Sequence, residues 1–138
     1  MQPVLWTPRL AVGVESIDLQ HRDLLELIGA VVEAAQSEEG AASLMGLLAT
    51  LQENLAVHFA DEEAEMRKAH YPATHRHQVE HNDLTRDLAS LVAEYGREGL
   101  TPNIAARVRN RVGLSPVTHV RRADREFGRY LRGVYVRA

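Results

Sequence analysis

Five of the seven histidines fall, with two carboxylates, into an ordered series: His21, then His58 and Glu62, then His77 and His81, then His119 and Asp124. Imidazole and carboxylate are the side chains that bind first-row transition metals when cysteine is missing, and this chain has no cysteine. At about 3.6 residues per turn, positions i and i+4 lie about 40° apart around a helix and about 6 Å apart along it. His58/Glu62 and His77/His81 can therefore each aim two ligand atoms at one point. His119 and Asp124 are one residue further apart, which in a regular helix swings the second side chain well off the axis of the first.

The same residues lie on stripes of helical period. One stripe reads His21, Leu24, Leu25, Ile28, Val31, Val32, Ala35; the next reads Leu44, Leu48, Leu51, Leu55, His58, Glu62, Met66. A third reads His77, His81, Leu84, Leu88, Leu91, Tyr95. Each apolar seam carries metal-type residues at one end. Burying several imidazoles and a carboxylate costs several kcal/mol unless each finds a partner. A metal centre supplies that partner.

The elements that must position these residues can be read from the punctuation of the chain. Met1 to Glu15, with Pro3 and Pro8, reads as an extended arm anchored by Trp6. A first helix is expected from about Asp18 to Ser37, stopped near Gly40, and a second from about Ala42 to Ala69. Tyr71-Pro72 separates the second from a third over about Thr74 to Tyr95, with Gly96 and Gly99 beyond it. Thr101-Pro102 is a cap-and-proline start for the fourth. Gly113-Leu114-Ser115-Pro116 looks like a stop followed by a second such start. The fourth helix is therefore expected in two pieces, about Pro102 to Val112 and Pro116 to Arg132.

Composition suits a small all-α bundle. The 138 residues predict one domain, 1–138, with few aromatics and no alternating β-branched runs. No apolar stretch is long enough to cross a bilayer, and Met1 to Gly13 lacks the layout of a signal peptide, so a cytoplasmic location is expected. The lack of cysteine excludes disulfides, iron–sulfur clusters and thioether-attached haem.

Taken together the motifs resemble the hemerythrin family, in particular its single-domain bacterial members. The residues that carry the resemblance are Trp6 and Gly13-Val14, Ile17-Asp18-Leu19-Gln20-His21, His58-Phe59-Ala60-Asp61-Glu62-Glu63 with Met66, Tyr71-Pro72, His77-x-x-x-His81, and His119-Val120-x-x-x-Asp124. The resemblance implies an up-down-up-down four-helix bundle holding a non-haem di-iron site. It implies one iron on His77, His81 and His119 and another on His21 and His58 with an open position. Glu62 and Asp124, with an oxo or hydroxo group, would bridge the two. Dioxygen or a small anion would bind at the open iron. A histidine-rich, carboxylate-poor ligand set favours reversible dioxygen binding for storage, delivery or sensing. The alternative is a di-iron oxidoreductase, a peroxidase or a scavenger of nitric oxide or peroxide, using the same open iron.

The chain departs from its relatives at Ser115-Pro116, where they carry Trp-Leu; Leu10 and Leu84 replace common aromatics. The leucine position belongs to the lining of the oxygen pocket, so a pocket more open to water or anions is expected. Among the other residues, His70 and His75 read as exposed, Glu63 as a solvated helix-face charge and Met66 as core filler. Charge is uneven: from Pro102 onward nine arginines face Asp124 and Glu126, while the whole chain is −3. Arg121, Arg125, Arg129 and Arg132 share a helix face that reads chiefly as solvated and offers a docking face for an acidic partner. The net acidity argues against nucleic acid.

Overall fold

The computed structural model describes residues 7–137; for Arg9 and for residues 134–137 it describes the backbone alone. Trp6, the expected anchor of the arm, lies outside the described residues. Among the described residues there is no strand. Four long helices form instead: α1 (Glu15–Ala34), α2 (Glu38–Lys68), α3 (Thr74–Glu98) and α4 (102–137). The short links make sequence neighbours antiparallel, and α4 packs back against α1 to close the bundle. No described helix is long and apolar enough to cross a membrane.

The arm is held rather than loose. Pro8–Leu10 forms a single 3₁₀ turn, Leu10 packs with Leu25, Val117 and Val120, and Val12 is fully buried. Asp18 accepts hydrogen bonds from the Val12 and Gly13 amides at 2.8 and 3.3 Å, and Gly13 supplies the positive φ of 96° that turns the chain into α1. Helix α1 begins at Glu15, the residue assigned to the end of the arm.

The α1/α2 junction corrects the sequence reading. Ser37 ends no helix: its hydroxyl accepts from the Gly40 amide at 3.0 Å and caps α2, which runs through Gly40. Gly40 is there for space. A Cβ at that position would stand 2.6 Å from the Ala34 carbonyl oxygen, so the glycine lets α1 end against the first turn of α2. Helix α3 likewise runs through Gly96 and stops at Gly99, whose φ is +75°.

The end of α2 is a Schellman closure built without glycine. His70 takes the left-handed conformation (φ 54°) and its amide reaches the Arg67 carbonyl, while the Tyr71 amide reaches Met66 at 2.9 Å. Tyr71 then packs with Met66, Phe127 and Leu131, which confirms Met66 as core filler. His70 and His75 are exposed, as expected.

Helix α4 is joined from several pieces: α-helical Pro102–Arg107, a wide turn Val108–Leu114, α-helical Ser115–His119, a second wide turn Val120–Asp124, and α-helical Arg125–Arg137. The expected discontinuity near Gly113–Pro116 is present, but as a π-type widening rather than a stop. Ser115 is helical and caps nothing; its amide and its hydroxyl both bond the Asn110 carbonyl, five residues back. The extra residue in the turn gives room to the Pro116 ring, which in a regular helix collides with the carbonyl four residues earlier.

The main apolar core, built around Ile28, Val31, Leu44, Leu48, Leu91 and Ile104, fills one part of the bundle, and Met66, Phe127 and Leu131 fill the other end. Between them lies a buried polar layer.

Candidate metal centre

That layer is made of His21, His58, Glu62, His77, His81, His119 and Asp124, none more than 5% exposed. The structure brings all seven predicted residues together. Helix α1 contributes one near its start, α2 two toward its end, α3 two in its first turns, and α4 the last pair. Antiparallel packing thus sets early positions of α1 and α3 beside late positions of α2 and the middle of α4.

The two carboxylates divide their oxygens between two groups of imidazoles. Glu62 Oε2 faces His21 and His58 at 3.3 and 3.2 Å, while Oε1 faces His77 and His81 at 2.9 and 3.2 Å. Asp124 Oδ1 lies 2.6 Å from His77 and 3.1 Å from His119, and its Oδ2 lies 3.0 Å from His21. Two converging sets result. One is His77, His81, His119, Glu62 and Asp124; the other is His21, His58, Glu62 and Asp124.

The five-residue spacing of His119 and Asp124 is reconciled by the second wide turn. Where the backbone bonds i to i+5, residues five apart fall over one another as residues four apart do in an α-helix. The extra residue brings Asp124 back to the face that carries His119.

The donor chemistry fits a cation. Both oxygens of Glu62, Oδ2 of Asp124 and both ring nitrogens of His21 are buried without a hydrogen-bond partner. His81 Nε2 and His119 Nε2 approach each other to 3.1 Å. Ring nitrogens and carboxylate oxygens therefore converge on shared points more than they pair with each other. Such orphaned groups cost about 1–3 kcal/mol each unless something satisfies them, and positive charge at the shared points satisfies every one except the outward-facing His21 Nδ1.

Protonation shows the same demand for positive charge. Burial opposes a proton on His77, but its hydrogen bond to Asp124 and the nearby Glu62 carry its pKa up to about 9. His21 is likewise raised to about 9, burial being outweighed by the same two carboxylates. Burial and the charge of Glu62 push Asp124 upward, yet His119 and His21 draw it down to about 2. Glu62 is held well below the usual carboxylate range because four imidazoles together outweigh its burial.

Three residues outside the sevenfold set hold its outer edge, each backing an imidazole of the next helix in the chain. Gln20 Oε1 lies 2.9 Å from His58 Nδ1, Glu63 Oε2 lies 2.8 Å from His81 Nδ1, and Glu80 Oε2 lies 3.1 Å from His119 Nδ1. Glu63 is therefore not a solvated helix-face charge, and its side chain is only 19% exposed. The signal in the sequence was adjacency: Gln20 precedes His21, Glu63 follows Glu62 and Glu80 precedes His81. A helix residue beside an inward ligand sits on the flank, facing the neighbouring helix.

A small apolar cavity opens against the His21/His58 group. Its walls include Leu24, Ile28, Leu55, Phe59, Leu84 and Pro116, and about 20 Å³ is open to the centre of a water-sized molecule. That is room for one water or a diatomic molecule. Outside it runs a polar groove of about 300 Å³ lined by Glu80, Asp83, Ser115, Thr118 and Arg122. Leu84 and His119 line both spaces. Pro116 thus belongs to an inner apolar wall, while Ser115 lines the outer groove.

Comparison with known proteins agrees with this architecture. The model of the hemerythrin HHE cation-binding domain matches residues 12–114, and the chain belongs to the hemerythrin family. A protein named bacteriohemerythrin from Ralstonia nicotianae (strain ATCC BAA-1114 / GMI1000) is 30% identical over 84 residues, which cover 61% of this chain and 58% of that protein. No solved structure matches. His119 and Asp124 fall beyond the matched stretch, so their place in the centre rests on the geometry given above.

Proposed function

We propose that the chain holds two iron ions through His21, His58, Glu62, His77, His81, His119 and Asp124, and that it binds dioxygen reversibly on the His21/His58 side. The observation that carries this reading is the division of each carboxylate between two imidazole groups, three on one side and two on the other. Glu62 and Asp124 are the bridging residues in this reading. Both imidazoles of the group of two line the cavity, against only His119 of the group of three.

Ferrous iron held by these residues, together with an oxo or hydroxo group, would supply the electrons that dioxygen binding requires. The chain's own part is to shape and dry the pocket. Leu24, Ile28, Leu55 and Phe59 keep water away from the space beside His21 and His58, and the limited volume admits small ligands only. Gln20 orients His58 through its Nδ1, and Asp61 holds Gln20 in turn at 2.7 Å. Five imidazoles and two carboxylates give a ligand set with little negative charge, which suits reversible oxidation more than oxygen cleavage. The exposed Arg121, Arg125, Arg129 and Arg132 offer a positively charged face for an acidic protein partner.

The test is anaerobic reduction of the iron-loaded protein followed by oxygen exposure, watched by absorption spectroscopy. A stable new spectrum that reverts when oxygen is removed is expected. Rapid, irreversible oxidation, or turnover of peroxide or nitric oxide, overturns the oxygen-binding reading in favour of an oxidoreductase.

A further inference from the structure

We infer that the two metal positions hold their cations unequally, and that Glu63 and Glu80 set the difference by acting through His81 and His119. The inference rests on the two-metal reading above and adds an order of loading and release to it.

The distinction comes from the outward ring nitrogens. All five imidazoles turn Nε2 toward the shared carboxylates, so a cation there takes the Nε2 lone pair and leaves the hydrogen on Nδ1. What Nδ1 donates to then decides how strong a donor Nε2 is. His81 and His119 donate to carboxylates, Glu63 at 2.8 Å and Glu80 at 3.1 Å. His58 donates to Gln20, a neutral amide, at 2.9 Å. His21 Nδ1 is buried with no hydrogen-bond partner.

Both carboxylate-backed imidazoles belong to the group of three, and neither belongs to the group of two. A hydrogen bond to a carboxylate is about twice as strong as one to a neutral acceptor and shifts electron density toward the metal-facing nitrogen. Glu80 is fixed for this task by Arg122, whose guanidinium donates to Glu80 Oε1 at 2.6 Å. Both backing carboxylates are largely shielded from water, Glu63 at 19% exposed and Glu80 at 25%. The group of three therefore combines five ligand residues with two reinforced imidazoles; the group of two has four ligand residues and no reinforcement.

The consequence is an ordered centre. The cation on His77, His81 and His119 enters first and leaves last, and the one on His21 and His58, beside the cavity, is the exchangeable one. Glu63 and Glu80 are positioning residues: they touch imidazoles, not the cation.

Cobalt(II) release to excess chelator, followed by visible absorption, tests the inference on the full chain. The wild-type protein is expected to release two cobalt ions per chain in two phases of equal amplitude. Glu63→Gln and Glu80→Gln should each speed the slow phase by about 10–100-fold and leave the fast phase in place. Gln20→Glu combined with Asp61→Asn puts a carboxylate behind His58 and should slow the fast phase. A general loss of structure would speed both phases alike, so phase selectivity separates the proposed role from a merely structural one. Release of both ions in a single phase, or equal acceleration of both phases by the two glutamine variants, overturns the inference. A capacity of one cobalt per chain refutes the two-metal reading itself.

Discussion

His119 Nε2 and Asp124 Oδ1 lie 3.1 Å apart across a five-residue spacing, as close as His58 Nε2 and Glu62 Oε2, 3.2 Å apart across four. The second pair needs only a regular helix. The first needs the wide turn over Val120–Asp124, which takes up one extra residue and hands the chain back in register at Arg125. Phe127 and Leu131 then return to the core.

A deletion series checks this. Removing the exposed Arg121 shortens the spacing to four, so a regular helix can present both His119 and the aspartate while Phe127 and Leu131 stay buried. The variant is expected to remain helical and to bind metal. Removing Arg125 instead lets the chain keep either Asp124 or Phe127 in place, but not both, and should cost metal binding or much of the stability. Circular dichroism and metal stoichiometry read the outcome. Equal damage from the two deletions would show that the turn is not a register device.

Stability of the metal-free protein should depend on pH in a way the loaded protein does not. His21 and His77 have folded-state pKa values raised to about 9 from an ordinary 6.5. Their protons therefore stabilise the fold fully below 6.5, and that stabilisation is lost as pH rises toward 9. Asp124, lowered to about 2 from 3.8, contributes above 3.8 and loses its contribution as pH falls toward 2. Thermal unfolding of the metal-free chain should thus show highest stability between 3.8 and 6.5. Metal competes with the same protons, so binding strengthens as pH rises and loading should rescue the alkaline side. A metal-free protein as stable at pH 9 as at pH 6 would count against the charge balance described.

Gly128 is where the arm meets α4. A Cβ there would stand 2.8 Å from the Val12 Cα and 2.9 Å from its carbonyl oxygen, both backbone atoms that cannot swing aside. Gly128→Ala should lower stability by about 1–3 kcal/mol, despite alanine's better helix propensity. Gly133, where a Cβ meets nothing within 4 Å, is the control: its alanine variant should be neutral or stabilising. Chemical denaturation of the two variants distinguishes them; similar midpoints would mean that the arm yields.

The sequence made the candidate centre legible because most of its residues obey helical spacing on the very stripes that supply the core. His21, His58, Glu62, His77, His81 and all four helices were readable on that basis, while His119 and Asp124, five apart, were the weaker pair. What escaped needed the partner helix. Gly40 looks like a stop until α1 is seen to end against it, and Ser115 looks like a cap until its hydroxyl is found on Asn110. Gln20, Glu63 and Glu80 look like solvent-facing charge or polarity on their own helices, and only the neighbouring helix turns them into supports for imidazoles. Of the two wide turns of α4, the first is signalled by Pro116, though not in its form, and the second is invisible locally because no residue type demands it. It is recovered only by asking how Asp124 reaches the point that His119 reaches.

Pro116 gives the last prediction. It is buried in the wall of the cavity beside His21 and His58, which Leu84 also lines, and Ser115 lines the outer groove. The proline ring is smaller and stiffer than a leucine side chain, and it cannot adjust its rotamer to close on a ligand. Pro116→Leu also restores an amide hydrogen to α4, so the helix need not be weakened by the change. The added side chain should fill the cavity beside the Leu84 and His119 walls that it shares with the groove. Azide should then bind the iron-loaded protein more slowly, and the oxygenated form should autoxidise more slowly, since both need small polar species to pass the same wall. Stopped-flow azide binding and the decay of the oxygenated spectrum measure the two effects. Unchanged values for both would mean that ligands reach the centre by another way, leaving Pro116 a packing residue alone.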